Sequence, residues 1–521
     1  MRKFTVTKHI SLEPELVSAA ATGGTVDGVL RRSAARFPGN TALTFDGRAH
    51  SYRELDDAVT KVAAYLISLG LNTGDRVAAY GTNSDAYVIS FLACTRAGLV
   101  HVPVNYALRG GELTYLLSQS GARAVLVDPT LEDVLTTVSS NLVAVEHILL
   151  LREAEGSILE VAAEDAVPNL MPASSPTHLA QLLYTSGTTS KPKGAMMTHE
   201  ALVYEYVSAV MALDLTADDN PLVAMPLYHS AGMHVFMLPY LSVGATVNLI
   251  AAPDIPEILR RVEEDRIGSL FLAPTVWVPL ASHPDLDSRD LSSLRKAQYG
   301  ASIMPVTVLN RLRERYPDLG FYNCFGQSEI GPLATVLRPE DHEDRPSSCG
   351  RPVFFVEAKV VDTEGTDVAA DEPGEILYRS PQLCRGYWEN PDATAEAFRN
   401  GWFHSGDLVT RDEKGFVTVV DRIKDVINTG GILVASREVE DAIYSHPAVA
   451  EVAVIGTPDD KWIEAISAVV VLRDGAQATK EQLIEHVKEQ IAPFKVPKQI
   501  RFAESLPRNQ SGKLLKRELR A

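Results

Sequence analysis

The sequence predicts an α/β protein with a large N-terminal domain of layered α/β subdomains, a small antiparallel barrel or sheet, and a small α+β C-terminal domain. Three observations predict it. Strand-like and helix-like stretches alternate over the first 330 residues or so, and the texture turns to short alternating strands after about 340. A charged "DRIKD" at 421–425 then precedes a compact mixed segment. A chain of 521 residues exceeds what one hydrophobic core supports, so domains are expected at 1–421 and 422–521.

The elements follow in order. Ser51 to Glu54 reads as a capping box, and the apolar period behind it runs to Leu69, where Gly70 stops the helix. "DRVAAYG", helical "AYVISFLACTRAG" and "VHVPVN" give strand, helix, strand, and "ARAVLVD" and "VEHILLL" continue the series. "GATVNLI", "IPEILRRVEEDRIG" and "SLFLAPT" open a second round, which argues for largely parallel sheets. "VEAKVVD", "GEILYRS" and "GFVTVVD" are short strands between Gly, Pro and Asp turns.

Composition excludes several function classes. A net charge of -18 argues against non-specific nucleic-acid binding, which rests on Lys and Arg neutralising phosphates. Cys94, Cys324, Cys349 and Cys384 lie far apart with no metal-ligand spacing, so they read as buried thiols in a reducing cytoplasm. The N-terminal stretch carries charge and no apolar h-region, and no apolar run is long enough to span a membrane.

"YTSGTTSKPKG", 184–194, carries the chemistry. All but Tyr184 and Pro192 are Gly, Thr, Ser or Lys, between an apolar strand and a helical "THEALVYEYVSAV". Such a loop offers backbone N–H groups, hydroxyls and ammonium charges to phosphate oxygens. It is not a Walker A loop, because Pro192 precedes Lys193 and Gly194 follows it.

This segment resembles the signature loop of the adenylate-forming superfamily, which includes acyl-CoA synthetases, luciferases and peptide-synthetase adenylation domains. "MPLYHSAGM" (225–233), "YGASIMP" (299–305), "FYNCFGQSE" (321–329), "GWFHSGDL" (401–408), "DRIKD" and "LPRNQSGKLLKREL" (506–519) match further family motifs in order. The resemblance implies an acid–thiol ligase that uses ATP and Mg2+ to form an acyl-AMP intermediate and passes the acyl group to coenzyme A. In-line attack of a carboxylate on ATP brings anions together, so positioning and charge neutralisation carry the catalysis. By the resemblance, Thr185, Ser186, Gly187, Thr188, Thr189 and Lys193 hold phosphates, and Glu329 binds magnesium. Gly300, Ala301, Ser302, Asn323, Phe325, Gly326 and Ser328 surround the adenine. Asp407 and Arg422 fix the ribose, Lys513 bridges carboxylate and α-phosphate, and His229 borders the acyl pocket. The C-terminal domain is implied to be mobile, swinging about Lys424. A homodimer is compatible with the type.

No acidic residue near His229 suits an α-ammonium group, and the expected pocket walls, Tyr228, Met233, Trp277, Tyr299 and Ala301, are mostly apolar or aromatic. A hydrophobic monocarboxylic acid is the expected substrate. "PDDKWIEA" (458–465) resembles the synthetase segment associated with coenzyme A. A free carrier protein is the alternative acceptor, and a luciferase-like oxygenase would share most motifs. A catalytically dead relative would be expected to lose Lys513, Glu329 or Asp407, and all three are present.

One stretch departs from the type. The family usually reads Gly-Gly-Glu-Asn where this chain has Gly430, Gly431, Ile432 and Leu433, and the resemblance implies that this loop faces the adenylate during thioester formation. Ser190 also replaces a usual Gly. Two expectations follow: a complete two-step ligase with an altered loop, or a thioesterification-specialised enzyme that takes a preformed acyl-adenylate.

Overall fold

Ser51 starts its helix as the capping box requires: its Oγ accepts from Glu54 N at 3.2 Å, and Glu54 Oε2 accepts from Ser51 N at 2.7 Å. The helix runs Tyr52–Ser68 and buries Leu55, Val59, Val62 and Leu66 at helical spacing. This computed structural model describes residues 24–185, 191–302, 304–430, 432–459, 462–508 and 514–520, apart from the Arg517 side chain.

Two large sheets dominate. In the nine-stranded sheet, Gly320–Gly326, Lys296–Gly300, Ser269–Leu272, Pro221–Val223, Val247–Leu249 and Thr41–Phe45 lie parallel in that spatial order, with antiparallel strands at both edges. In the six-stranded sheet His147–Leu150, Ala122–Val127, Arg76–Tyr80, Val100–Val104 and Leu179–Thr185 are parallel, and Lys193–Thr198 folds back antiparallel at the edge. Strand alternation assigns each side chain to a layer. Val77 and Ala79 enter a core shared by both sheets and the helices Tyr52–Ser68, Asp85–Ala97 and His199–Ala212, whereas Ala78 and Tyr80 enter the outer core under Gly110–Ser120. Burial on both faces explains why these strands read as continuous apolar runs.

The later strands Glu357–Val361, Gly374–Arg379, Phe398–Arg399, Trp402–Arg411 and Val417–Arg422 form an antiparallel five-stranded sheet. Beyond them Ile432–Val434, Ile427–Thr429, Ile463–Leu472, Val449–Asp459 and Gln499–Phe502 make a separate sheet. It packs on Ser436–Tyr444 and Lys480–Lys488 around its own core of Ile427, Val434, Val439, Ile443, Ile466 and Leu483.

Two local features refine the expectations. The helix expected from Thr198 forms as His199–Ala212, and a strand that the sequence did not announce, Lys193–Thr198, precedes it and pairs antiparallel with Leu179–Thr185. Residues 427–434 likewise form a hairpin, with Thr429 opposite Ile432, rather than an open loop before a helix. Gly430 sits at its turn with φ +66, where an L side chain would be strained. Among the described residues no helix is long and apolar enough to cross a membrane.

Candidate active site

Three of the singled-out segments leave the carboxyl ends of strands: Thr185 closes Leu179–Thr185, Gly300 closes Lys296–Gly300, and Gly326 closes Gly320–Gly326. In open parallel sheets ligands bind at that end, because the chain turns there and leaves a crevice. Ala301, just past its strand, is exposed and held at φ +64, a conformation costly for a residue with a Cβ.

Glu329, three residues past Gly326, bonds Thr185 and so joins two of these strand ends. It lies in the single-turn 3-10 helix Ser328–Ile330 and is buried. Its Oε1 accepts from Thr185 Oγ1 at 3.2 Å and from the Tyr387 hydroxyl at 3.0 Å. Among the described residues, no lysine or arginine forms an ion pair with it. A buried carboxylate answered, among the described residues, by two hydroxyls fits a hard divalent cation, which would add positive charge. Lys193 stands close by, its Nζ 5.1 Å from the Tyr387 ring centroid. Burial, with the Glu329 carboxylate beside it, pushes the Tyr387 phenol well up, so the hydroxyl stays a donor. Ser328 Oγ lies 2.9 Å from Ser230 Oγ, tying this turn to the segment that follows His229.

A second group joins the antiparallel sheet. Asp407 and Arg422 are register partners on neighbouring strands, and Arg422 Nε meets Asp407 Oδ1 at 2.7 Å. Arg422 also donates to Ser405 O at 3.3 Å, and Gln327 Nε2 reaches the same carbonyl at 3.4 Å. Asn323 commits its Nδ2 to Ser348 O at 2.9 Å, so its side-chain oxygen is the group it keeps as an acceptor. Phe325, Gly326 and Ser328 are half-buried on the same turn.

The expected acyl walls do not converge. Tyr228 packs edge-on against Tyr106 at 5.5 Å between centroids and tilts against His229 at 4.7 Å. Met233, in the π-helix Ala231–Met237, is sunk in the shared core. Trp277 and Tyr299 belong to the outer core of the nine-stranded sheet: Trp277 Nε1 donates to Gln298 O at 3.0 Å, and the Tyr299 hydroxyl lies 3.0 Å from His342 Nε2. The physical reason is alternation: Tyr299, one residue before Gly300, takes the opposite face of its strand. The π-helix is pinned by His234, fully buried, with Gln181 Oε1 at 2.7 Å and the Tyr206 hydroxyl at 2.9 Å.

On the C-terminal side, Lys424 is exposed in the 3-10 turn Ile423–Asp425, and Arg520 donates to Asp425 Oδ1 at 3.0 Å. Asp421 Oδ2 accepts from Ser436 N at 2.6 Å and Ser436 Oγ at 2.7 Å. Lys516 meets Ser436 Oγ at 2.6 Å and Glu440 Oε1 at 2.8 Å. Val434 is 1% exposed, whereas Ile432 is 46% and Leu433 70% exposed. Ser186, Gly187, Thr188, Thr189, Ser190, Gly431 and Lys513 lie outside the described residues.

Sequence reasoning missed Tyr387, Ser230 and Gln327. A tyrosine in "RGYWEN" reads as core, and only its pairing with Glu329 across 58 residues shows otherwise. Ser230 and Gln327 flank His229 and Ser328 and were legible as motif neighbours.

With this geometry in place, comparison with known proteins gives a consistent result. Residues 30–388 match the family model "AMP-binding enzyme", and residues 438–513 match "AMP-binding enzyme C-terminal domain". A feruloyl-CoA synthase from Amycolatopsis sp is 38% identical over 94% of this chain and 97% of that protein. A long-chain-fatty-acid–CoA ligase from Escherichia coli O157:H7 is 33% identical over 100% of this chain and 98% of that one. The anthranilate CoA ligase AuaEII, solved with anthranoyl-AMP, superposes with a TM-score of 0.89 at 27% identity, covering 95% of this chain and 96% of that chain. Thr185, Tyr387 and the buried Glu329, with the paired Asp407 and Arg422, thus stand in a chain that belongs to the AMP-binding enzyme family, as an adenylate-forming ligase of the acyl-CoA synthetase type.

Proposed function

We propose that this chain activates a hydrophobic monocarboxylic acid with ATP and transfers the acyl group to coenzyme A, with its C-terminal domain, 422–521, pivoting at Lys424. The observation that carries the reading is Glu329: buried, bonded to Thr185 and Tyr387, and lacking a basic partner among the described residues. Glu329 with Thr185 would hold Mg2+, which supplies charge neutralisation on the phosphates. Lys193 and the loop it closes bind the β- and γ-phosphates through hydroxyls and ammonium charge. Asn323 offers its side-chain oxygen to the adenine amino group, Phe325 stacks on the ring, and Asp407, oriented by Arg422, accepts from the ribose hydroxyls. Lys513 is assigned by its motif to the carboxylate and α-phosphate. The aromatic pair Tyr106 and Tyr228, beside His229, forms the acyl wall. Ferulate and long-chain fatty acids, the acids in the relatives' names, are both hydrophobic monocarboxylic acids. The four free, buried cysteines support a cytoplasmic setting.

A second reading is favoured by the exposure of Ile432 and Leu433: a thioesterification-specialised enzyme fed with a preformed acyl-adenylate. A paired assay separates the two. ATP–pyrophosphate exchange is measured over a panel of lipophilic acids, and thioester formation from synthetic acyl-adenylates in parallel. Robust exchange sinks the second reading. No exchange on any acid, with fast thioester formation, sinks the first. The double variant Ile432→Glu, Leu433→Asn changes two exposed side chains, so stability should move by no more than about 0.5 kcal/mol. Recovery of exchange in that variant assigns the loss to the hairpin, and unchanged exchange makes the hairpin a bystander.

A further inference from the structure

The helix His199–Ala212 buries a carboxyl group that the reaction does not use. Glu205 is fully buried, and among the described residues no lysine, arginine or histidine pairs with it. Its Oε1 accepts from Leu333 N at 3.2 Å, and its Oε2 from Gln382 Nε2 at 2.5 Å. Gln382, also fully buried, has its Nε2 3.3 Å from Ile330 O and 3.1 Å from Leu333 O. Its Oε1 accepts from Ser208 Oγ at 2.6 Å. Glu205 and Ser208 are three apart on one helix, so they share a face and grip Gln382 together. Two residues beyond Gln382, Cys384 N donates to Glu329 O at 2.8 Å.

These bonds converge on one short stretch of backbone. Residues 329, 330 and 333 are each held by a group from helix 199–212 or from segment 382–384. Gly331 completes the fit: it sits at φ +105, and a Cβ there would lie 3.1 Å from Glu205 Oε2 and 3.2 Å from Glu205 Cβ. A side chain there would press on Glu205 and hold a strained backbone. Tyr387, five residues after Gln382, is with Thr185 one of the two donors to the Glu329 carboxylate, so one segment contacts both the main chain and the side chain of Glu329.

We infer that Glu205 and Gln382 are positioning residues that fix the Ser328–Glu329 turn in the geometry needed to hold the metal–nucleotide complex. The inference rests on the reading of Glu329 as the magnesium ligand. Neither residue touches a substrate. They act through the turn, so their loss weakens the ATP side of the reaction and spares the step from acyl-adenylate to thioester.

The test uses the full chain and Mn2+ as probe. Mn2+ affinity is measured by electron paramagnetic resonance with a non-hydrolysable ATP analogue, beside KM for MgATP and the rate of thioester formation from a synthetic acyl-adenylate. Glu205→Ala is expected to raise the Mn2+ Kd and the MgATP KM about tenfold while the thioester rate stays within twofold. Ser208→Ala removes only the donor to Gln382 Oε1 and should show the same pattern at two- to threefold, which covers the case in which Glu205→Ala does not fold. Equal loss in both half-reactions, or unchanged Mn2+ affinity in the variants, would overturn the inference and leave a plain core contact. Glu329→Gln is the control. If it leaves Mn2+ affinity unchanged, the magnesium reading itself fails and the clamp falls with it.

Discussion

Asp421 offers the sharpest test of domain motion. Its Oδ2 accepts both Ser436 N and Ser436 Oγ, at 2.6 and 2.7 Å, and so caps the helix Ser436–Tyr444. Asp421 lies before Lys424 and Ser436 after it, so a pivot at Lys424 must break both bonds in the other arrangement. Both residues are buried, and a lost N-terminal cap of this kind costs roughly 0.5–2 kcal/mol. Taking about 2 kcal/mol, Asp421→Ala should shift the balance between arrangements about thirtyfold away from the one seen here. The assay compares adenylation, followed by ATP–pyrophosphate exchange, with thioester formation from a supplied adenylate. The half-reaction that uses this arrangement should fall by one to one and a half orders of magnitude against the other. A ratio that stays within twofold would refute the reasoning, because the contact would then move as one body with the C-terminal domain and the pivot would precede Asp421.

Three further outcomes follow from the structure. Asp407→Asn removes the charge that faces Arg422, so KM for ATP should rise by about ten- to a hundredfold, given roughly 1.5–3 kcal/mol for a hydrogen bond to a charged group, while KM for the acid stays within twofold. Asp85 is fully buried. Desolvation alone would raise its carboxyl, but hydrogen bonds from His50 and Arg48 outweigh it and hold the group at about 2, below the usual 3.8. Its stabilisation of about 2 kcal/mol is therefore present above pH 4 and lost as pH falls towards 2, and urea midpoints of wild type and Asp85→Asn should converge over that window. Ile463, β-branched and 59% exposed, is held at φ +67; Ile463→Gly should raise the urea midpoint by the equivalent of about 1 kcal/mol while slowing thioester formation.

Much of this architecture was legible in the sequence because local signals and burial agree. The capping box at Ser51 and the apolar runs at 76–80 and 122–127 read correctly because each is fixed by its own residues. What failed was whatever depends on which face of a strand meets which neighbour. Tyr299 precedes Gly300 at the site, yet alternation sends it into the outer core, and Trp277 joins it there from the helix Pro274–Leu280. Tyr387 looks like core and meets Glu329 only through folding that brings segment 382–388 against the edge hairpin. The Lys193–Thr198 strand was missed because its residues, KGAMMT, carry few strand signals, and pairing with Leu179–Thr185 supplies what propensity lacks.

The aliphatic edge of the C-terminal sheet is costly in the arrangement seen here. Thr429 faces Ile432 on one neighbouring strand and Ile463 on the other, so the exposed aliphatics flank a buried threonine whose Oγ1 has no hydrogen-bond partner among the described residues. Of residues 432–434 only Val434 joins the core. Exposed isoleucines, one of them at a left-handed φ, and an unanswered buried hydroxyl do nothing for the isolated sheet, and polar residues would serve there at lower cost. Such an edge makes sense if another step of the cycle covers it. Covering Ile432 and Leu433 would contribute roughly 1.5–3 kcal/mol, at roughly 1.5–3 kcal/mol for each fully buried side chain and about half of that area still exposed. A bias of that size holds the alternative arrangement at roughly 1–8% of molecules. The hydrocarbon pair would then tilt the domain equilibrium towards whichever half-reaction buries it. Possession of Lys513 and actual adenylation are separate properties for that reason, and the two half-reactions have to be measured apart.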